Sequence, residues 1–113
     1  MDCLFCEIIR GNIPSRCAYE DEYCFAFHDI NPQAPTHILV VPKIHVASMD
    51  GIGAENSLYV AKILEASPKI AEKAELSGGY RVISNCGDDA CQTVKHLHFH
   101  IMGGTRLPEN MGV

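Results

Sequence analysis

Three histidines fall at alternate positions in one short apolar run: His96, His98 and His100. Side chains on a β-strand alternate between its two faces, so this spacing predicts three imidazoles on one face. The opposite face would carry the intervening apolar residues Leu97, Phe99 and Ile101. Rings on one face lie roughly 6.6 Å apart along a strand and can address one ligand of nucleotide-phosphate size. Imidazole is both a nucleophile and a proton carrier near neutral pH, so the cluster suits attack at phosphorus or metal binding.

Two other interpretations of the histidine run stay open at this point. The run could be an exposed polar face whose histidines alternate by coincidence. It could also be a metal site of the His-x-His type, which would need a nearby carboxylate. The nearest downstream carboxylate is Glu109, and nothing close in sequence completes that ligand set.

Length and charge restrict the class of protein. The 113 residues are 47% apolar, which predicts a single globular domain over 1–113. With 14 acidic against 9 basic residues the net charge is −5, which argues against nonspecific binding to nucleic acid or to an anionic membrane. No apolar run approaches the roughly 20 residues of a membrane span, and residues 1–3 do not resemble a secretory signal. We therefore expect a cytoplasmic protein.

Cysteine is unusually frequent. The six cysteines are Cys3, Cys6, Cys17, Cys24, Cys86 and Cys91. A reducing cytosol disfavours a disulfide framework. Cys3 and Cys6 have the Cys-x-x-Cys spacing of a metal site, and a closed tetrahedral site needs two further ligands. The alternative is a pair of buried thiols that pack as small hydrophobic groups.

The elements that position these residues can be predicted from periodicity and turn signals. We predict strands over 17–20, 22–28, 37–42, 80–85 and 94–102. A short helix is predicted over 3–10 and one long helix over 54–76, with a loop at 86–92. Pro68 lies inside the long helix, so we expect a kink or a break into two helices there, with Ser67 capping the second half. The succession favours an α+β fold with an antiparallel sheet.

Several motifs resemble one family in the correct order. The run 96–102, with the glycines 103–104, matches the pattern His-apolar-His-apolar-His-apolar-apolar followed by Gly-Gly. The stretches 27–37 and 41–43 are similar to a nucleoside-binding segment, and 8–14 to an N-terminal segment. Together these motifs resemble the histidine triad superfamily, most closely its Hint branch of purine nucleoside phosphoramidases. The resemblance covers about residues 3–104.

The resemblance implies a fold, an activity and an assembly. The fold is a five-stranded, mostly antiparallel sheet with one long and one short N-terminal helix. Two copies pair through the long helix and an edge strand into one continuous sheet, which gives a homodimer. The ligand is a purine nucleotide such as AMP or GMP, the reaction is hydrolysis of a phosphorus–nitrogen bond, and no organic cofactor takes part.

The resemblance also assigns catalytic roles. His98 would attack the α-phosphorus and form a nucleotidyl-histidine intermediate that water then hydrolyses. The backbone carbonyl of His96 would accept a hydrogen bond from the other ring nitrogen of His98. His100 would contact the phosphate oxygens and stabilise developing charge, and His37 would join the same network.

Nucleotide binding is assigned to a second set. Asn85 and Thr93 match positions that bind the phosphate, and Asp29 would accept hydrogen bonds from both ribose hydroxyls. A loop-capping aspartate is the alternative interpretation of Asp29. His28 belongs to the same stretch, and an apolar base cleft is matched by Leu4, Phe5, Ile8, Phe27, Ile30 and Leu39. Taken alone, each of these apolar residues would be ordinary core.

Some relatives in this superfamily bind zinc, and the resemblance then supplies the two missing ligands. His45 and His96 would join Cys3 and Cys6, and four ligands with no open position make the zinc structural. The zinc-bound nitrogen of His96 could not also contact substrate. The metal would instead fix the carbonyl that orients His98.

The sequence departs from the family in two places. Cys91 stands where glycine is usual in the nucleotide site, which puts a positive φ angle or a close phosphate approach in doubt. Residues 105–113 lack the Trp-Pro-Pro-Gly-like tail of animal Hint proteins, so substrate preference does not transfer. A non-catalytic nucleotide-binding or scaffold protein and a dinucleoside polyphosphate hydrolase therefore stay as alternatives.

Overall fold

One five-stranded antiparallel sheet forms the centre of the molecule, with strand order β1-β2-β3-β5-β4. The computed structural model describes residues 3–111, so the ends of the predicted domain 1–113 and of the tail 105–113 lie outside the described residues. The strands are β1 (Cys17–Glu20), β2 (Cys24–His28), β3 (Thr36–Pro42), β4 (Tyr80–Ile83) and β5 (Phe99–Gly103), and the helices are α1 (Leu4–Ile9) and α2 (Ser57–Lys73). The predicted α+β class and antiparallel sheet are confirmed. Within residues 3–111, no helix combines the length and apolar character needed to cross a membrane.

The two faces of the sheet carry separate apolar clusters. On β3, Ile38 and Val40 belong to the larger cluster beneath α2, whereas Leu39 and Val41 belong to a smaller cluster beneath α1. The register pairs Leu39 with His100. Because residues paired across an antiparallel ladder share a face, His100 lies on the α1 side of the sheet.

The long helix runs unbroken through Pro68, so the predicted break into two helices is wrong. Pro68 removes the N–H that would reach the carbonyl of Leu64, but both residues are exposed, so water can bond to that carbonyl. The predicted capping role of Ser67 is also wrong: its hydroxyl donates to the carbonyl of Ile63 at 2.9 Å, within the helix. The expected kink stays a prediction.

The long helix is shorter than the predicted range 54–76 at both ends. At its start, the side-chain oxygen of Asn56 accepts a hydrogen bond from the N–H of Gly53 and holds a turn there. At its end, Glu75 adopts a left-handed φ of 60°, which helical backbone cannot continue.

The last strand begins at Phe99, so the predicted start at residue 94 is wrong. The last pair of the β3–β5 ladder is Val40 with Phe99, two residues before β3 ends at Pro42, which has no N–H to donate. The preceding segment is held by other bonds, one of them from the N–H of Leu97 to the carbonyl of Val46 at 2.6 Å. The predicted alternation persists: Leu97 lies in the α2 cluster with Phe99 and Ile101.

Two other strand boundaries also differ from the prediction. The second strand starts at Cys24 rather than at residue 22, because a carboxylate oxygen of Asp21 accepts the N–H groups of Tyr23 and Cys24 in a turn. The fourth strand ends at Ile83 rather than at residue 85, since Ile83 pairs with His100 near the start of β5.

Candidate functional site

The ring of His98 is held in place by a hydrogen bond to the backbone two residues before it. Its Nδ1 atom lies 2.7 Å from the carbonyl oxygen of His96, and the residue is only 6% exposed. Because a carbonyl can only accept, the neutral His98 ring carries its proton on Nδ1 and its lone pair on Nε2. The hydroxyl of Ser84 donates to the carbonyl of His98 at 2.9 Å, and the ring of Phe5 meets the His98 ring edge-on. The site therefore holds an imidazole in the tautomer that a nucleophile needs.

His37 and His100 form a hydrogen-bonded pair of imidazoles, and the direction of its hydrogen bonds is opposite to that at His98. The backbone N–H of Gln33 donates to Nδ1 of His37 at 3.0 Å, so the proton of neutral His37 is on Nε2. That Nε2 lies 2.8 Å from Nδ1 of His100. His37 therefore donates to His100, and the proton of neutral His100 is on its own Nε2. His100 offers a donor where His98 offers a lone pair.

Both histidines of this pair are neutral at pH 7. Burial lowers the pKa of His100 to about 4, with the neighbouring His98 and His37 adding to the effect and Asp29 opposing it. Burial also lowers the pKa of His37, and the nearby charge of Asp29 opposes this shift. Neutral rings are consistent with the hydrogen bonds from Gln33 to His37 and from His37 to His100.

Folding brings a carboxylate to the histidines. Asp29 lies with its Oδ2 atom 3.4 Å from Nε2 of His37, and these atoms and Nδ1 of His100 all lie within 4.8 Å of one another. No carboxylate lies close to the triad in sequence, but Asp29, which is distant in sequence, lies beside it in the fold. Its other oxygen accepts the N–H of Asn31 at 2.8 Å, so Asp29 also caps its loop.

A cleft of about 300 Å³ opens between α1 and the sheet beside these histidines. All six residues predicted for an apolar base cleft border it: Leu4, Phe5, Ile8, Phe27, Ile30 and Leu39. The polar end is bordered by Asp29, Thr93, His98 and His100. Sequence reasoning missed Ile13, Pro14, Ser15 and Val94, although residues 8–14 were recognised as one segment. The geometry brings an apolar wall and the histidines to one cavity.

The remaining predicted nucleotide contacts lie on different sides of the histidines. Asn85 borders a second cleft of about 340 Å³ that also contains His37 and His100, whereas Thr93 borders the first. His28 borders the first cleft, but it pairs in register with Ile38, whose side chain faces α2. His100 thus lies between two clefts, with Asn85 and Thr93 on opposite flanks.

Cys91 adopts a left-handed backbone conformation, with φ 62° and ψ 39°. The doubt raised by cysteine at a usual glycine position is therefore removed for the φ angle: the loop keeps a positive φ despite the side chain. Such a conformation costs an L-residue about 1–2 kcal/mol relative to glycine. The thiol is exposed, and Cys91 borders neither of the two clefts.

A cluster of cysteines and histidines lies beside the segment that leads into β5. Sγ of Cys3 is 3.3 Å and Sγ of Cys6 is 3.5 Å from Nδ1 of His96, and Sγ of Cys6 is 3.4 Å from Nδ1 of His45. Zinc–sulfur and zinc–nitrogen bond lengths give tetrahedral sulfur–nitrogen edges of about 3.5 Å. The Nε2 atom of His96 donates to the carbonyl of Pro42 at 3.1 Å, which leaves Nδ1 as the ligating atom. The donor set fits zinc.

His96 takes no part in either cleft. It is fully buried, and it does not border the cleft that contains His98 and His100. Its ring faces the cysteines while its carbonyl faces His98. The two ends of one residue thus serve the two sites.

These features define a class: a small α+β protein with a hydrogen-bonded pair of histidines beside two clefts and a separate Cys/His cluster. The model of the HIT domain family matches residues 10–107, and the chain belongs to this family. A histidine triad protein of Clostridium difficile is 50% identical, with a TM-score of 0.92 over 96% of this chain and 95% of that chain. A HIT family hydrolase of Legionella pneumophila is 39% identical, with a TM-score of 0.94 over 98% of this chain and 100% of that chain. The predicted histidine triad fold is confirmed.

A plant relative is also similar. The 14 kDa zinc-binding protein of Zea mays is 43% identical over 112 residues, which cover 92% of this chain and 83% of the maize protein.

Acid should destabilise the protein through His100. Its pKa is about 4 in the folded protein against an ordinary 6.5, so between these values the unfolded chain binds a proton that the folded chain does not. Stability should therefore fall as the pH is lowered from 6.5 toward 4. In a His100→Gln variant this titration is absent, and the urea midpoint should vary less with pH than in the wild type. Identical pH dependence in the two proteins would contradict the assignment.

Proposed function

We propose that this protein hydrolyses purine nucleoside phosphoramidates through a nucleotidyl intermediate on His98. The observation that carries the proposal is the 2.7 Å contact from Nδ1 of His98 to the carbonyl of His96. This contact leaves the lone pair on Nε2, the atom that must attack phosphorus. A hydrolase with this fold among the relatives supports the reaction type.

The reaction has two displacements at the α-phosphorus. In the first, Nε2 of His98 forms a bond to phosphorus while the phosphorus–nitrogen bond breaks, and the nitrogen takes up a proton from solvent and leaves as an amine. In the second, water attacks the same phosphorus and gives up a proton to solvent, the bond from phosphorus to Nε2 breaks with the electron pair returning to Nε2, and a nucleoside monophosphate is released. The Nε2–H group of His100 donates to a phosphate oxygen and stabilises the charge that develops there. One water is consumed for each substrate.

The first cleft suits the nucleoside. Its apolar wall accommodates a base, and Asp29 at its polar end can accept ribose hydroxyls through Oδ2, because Oδ1 is already used within the loop. The phosphate would then lie beside His98 and His100, with Thr93 on one flank and Asn85 on the other.

The second cleft suits the amine that leaves. It borders His100 on the side away from the base cleft, and part of its wall is the C-terminal segment with Leu107 and Pro108. Arg81 donates a guanidinium N–H to the carbonyl of Pro108 at 2.7 Å and so holds this segment in place. Because this segment differs from the tail of animal Hint proteins, we expect a different preference for the leaving group.

The reaction is tested by turnover of an adenosine phosphoramidate. His98→Ala should reduce the rate by at least about a hundredfold, because the nucleophile is lost. The variant should still bind AMP, which shows that it is folded. Equal rates for the two proteins would exclude catalysis by His98. A wild type that binds AMP without turnover would favour the non-catalytic alternative.

We further propose that the four-ligand set Cys3, Cys6, His45 and His96 holds a structural zinc ion. The donor spacing and the relative named for zinc binding support this assignment. The bound ion would cross-link α1, the loop after β3 and the segment before β5. It has no open position for substrate chemistry.

Metal analysis of the purified protein tests the zinc site. The wild type should contain about one equivalent of zinc, and Cys3→Ser should contain less than about a tenth of an equivalent because the closed site loses a ligand. Cys17→Ser is the matched control, since Cys17 is exposed on β1, away from the cluster, and the variant should keep its zinc. Less than about a tenth of an equivalent in the wild type would contradict the proposal.

We also propose a homodimer that extends the sheet through β4. This strand is an edge of the sheet, and its residues Tyr80 and Val82 are apolar and exposed, as is Leu64 on α2. An exposed apolar edge strand is a template for pairing with another chain.

Light scattering after gel filtration tests the dimer. The wild type should have twice the monomer mass, and Val82→Lys should be a monomer because a charged side chain blocks the edge. Cys17→Lys places the same charge on the opposite edge strand β1 and should leave the dimer intact. A monomeric wild type would refute this assembly.

A cytoplasmic location, without nucleic-acid or membrane partners, completes the proposal. The net charge of −5 supports it, because it gives no attraction to anionic polymers or lipids. Recovery of the protein in the membrane fraction of lysed cells would overturn it.

A further inference from the structure

Gln92 is a buried polar residue that none of the roles above uses. It is 5% exposed, and its side-chain amide bonds three backbone groups. Its Oε1 accepts the N–H of Gly87 at 3.0 Å, and its Nε2 donates to the carbonyls of Ala47 at 2.7 Å and Val94 at 3.0 Å. Both donors of the amide are therefore used, and so is its oxygen.

The bonds of Gln92 close the loop between the two flanks of the histidine pair. The backbone N–H of Gln92 also donates to the carbonyl of Gly87 at 3.1 Å, so the two residues bond each other in both directions. Asn85 lies just before this closed loop and Thr93 just after it. The closure thus fixes the two places from which Asn85 and Thr93 approach His100.

The same side chain anchors the loop to the rest of the protein. Ala47 follows the loop that carries His45, and Val94 begins the segment that leads to His96. The base cleft is walled mainly by residues of α1, β2 and β3, and none of these bonds to Gln92. Val94 also borders this cleft, and Gln92 bonds its backbone carbonyl. Loss of the Gln92 bonds should therefore disturb the phosphate side of the site more than the base side.

We propose that Gln92 is a positioning residue for the phosphate group. It acts through the loop 87–92, which it closes and anchors so that Asn85 and Thr93 flank the phosphorus beside His98. This inference rests on the proposed function, because it takes the ligand to be a nucleoside phosphate. A residue that only stabilises the fold would affect the binding of nucleoside and nucleotide alike.

The test compares the binding of AMP and of adenosine, which differ only in the phosphate. In Gln92→Met, which keeps the length of the side chain but removes its hydrogen bonds, the dissociation constant for AMP should rise about tenfold. The dissociation constant for adenosine should stay within about twofold of the wild type. Ser67→Ala is the matched control: it removes another buried hydrogen bond, in α2, and should leave both constants unchanged.

The outcomes separate this inference from the proposed function. If the wild type does not bind AMP, the proposed function fails. If the wild type binds AMP and Gln92→Met changes the constants for AMP and adenosine equally, or changes neither, only the inference about Gln92 fails.

A measurement on the wild type covers the case in which Gln92→Met does not fold. Hydrogen exchange of the backbone amides of Gly87 and Gln92 should slow when AMP is added and should not slow with adenosine, because phosphate contacts on both flanks stabilise the closed loop. Equal protection by the two ligands, or none by AMP, would contradict the proposal.

Discussion

The hydrogen bond from Nδ1 of His98 to the carbonyl of His96 is the constraint on which the site depends. It decides the tautomer of a buried ring, and the tautomer decides which nitrogen can attack. For the bond to form, the backbone before β5 must turn the carbonyl of His96 toward the side chain of His98, two residues further along the chain. The β3–β5 ladder ends at the pair Val40 and Phe99, so residues 96–98 lie outside it. The segment is then held by Val46 and Ser84.

The site prepares two imidazoles for opposite tasks with ordinary backbone groups. A carbonyl accepts from His98 and leaves a lone pair, whereas the N–H of Gln33 donates to His37 and passes a donor on to His100. Burial keeps His37 and His100 neutral, so each ring has one proton and one lone pair. A charged ring at His100 would lose the acceptor on which the contact with His37 depends. The direction of every hydrogen bond in this network thus follows from two backbone groups, the carbonyl of His96 and the N–H of Gln33, together with the burial that keeps His37 and His100 neutral.

Much of this arrangement could be predicted from local sequence. Alternation placed Leu97, Phe99 and Ile101 in the α2 cluster, and periodicity located both helices and all five strands. The errors came from contacts between distant segments. The start of β5 depends on how far its ladder with β3 extends, and the continuity of α2 depends on which side of the helix Pro68 occupies. No local signal shows that Asp29 approaches His37, or that Gln92 bonds to Ala47.

The proposed reaction depends on which nitrogen of His98 carries the proton, and nitrogen NMR of histidine-labelled protein measures this directly. At pH 7 the long-range correlations of the His98 ring should show a protonated Nδ1 and an unprotonated Nε2, because Nδ1 faces a carbonyl. The His100 ring should show the reverse, with the proton on Nε2. A His98 ring with its proton on Nε2 would contradict the account, since the nitrogen that must attack phosphorus would then have no lone pair.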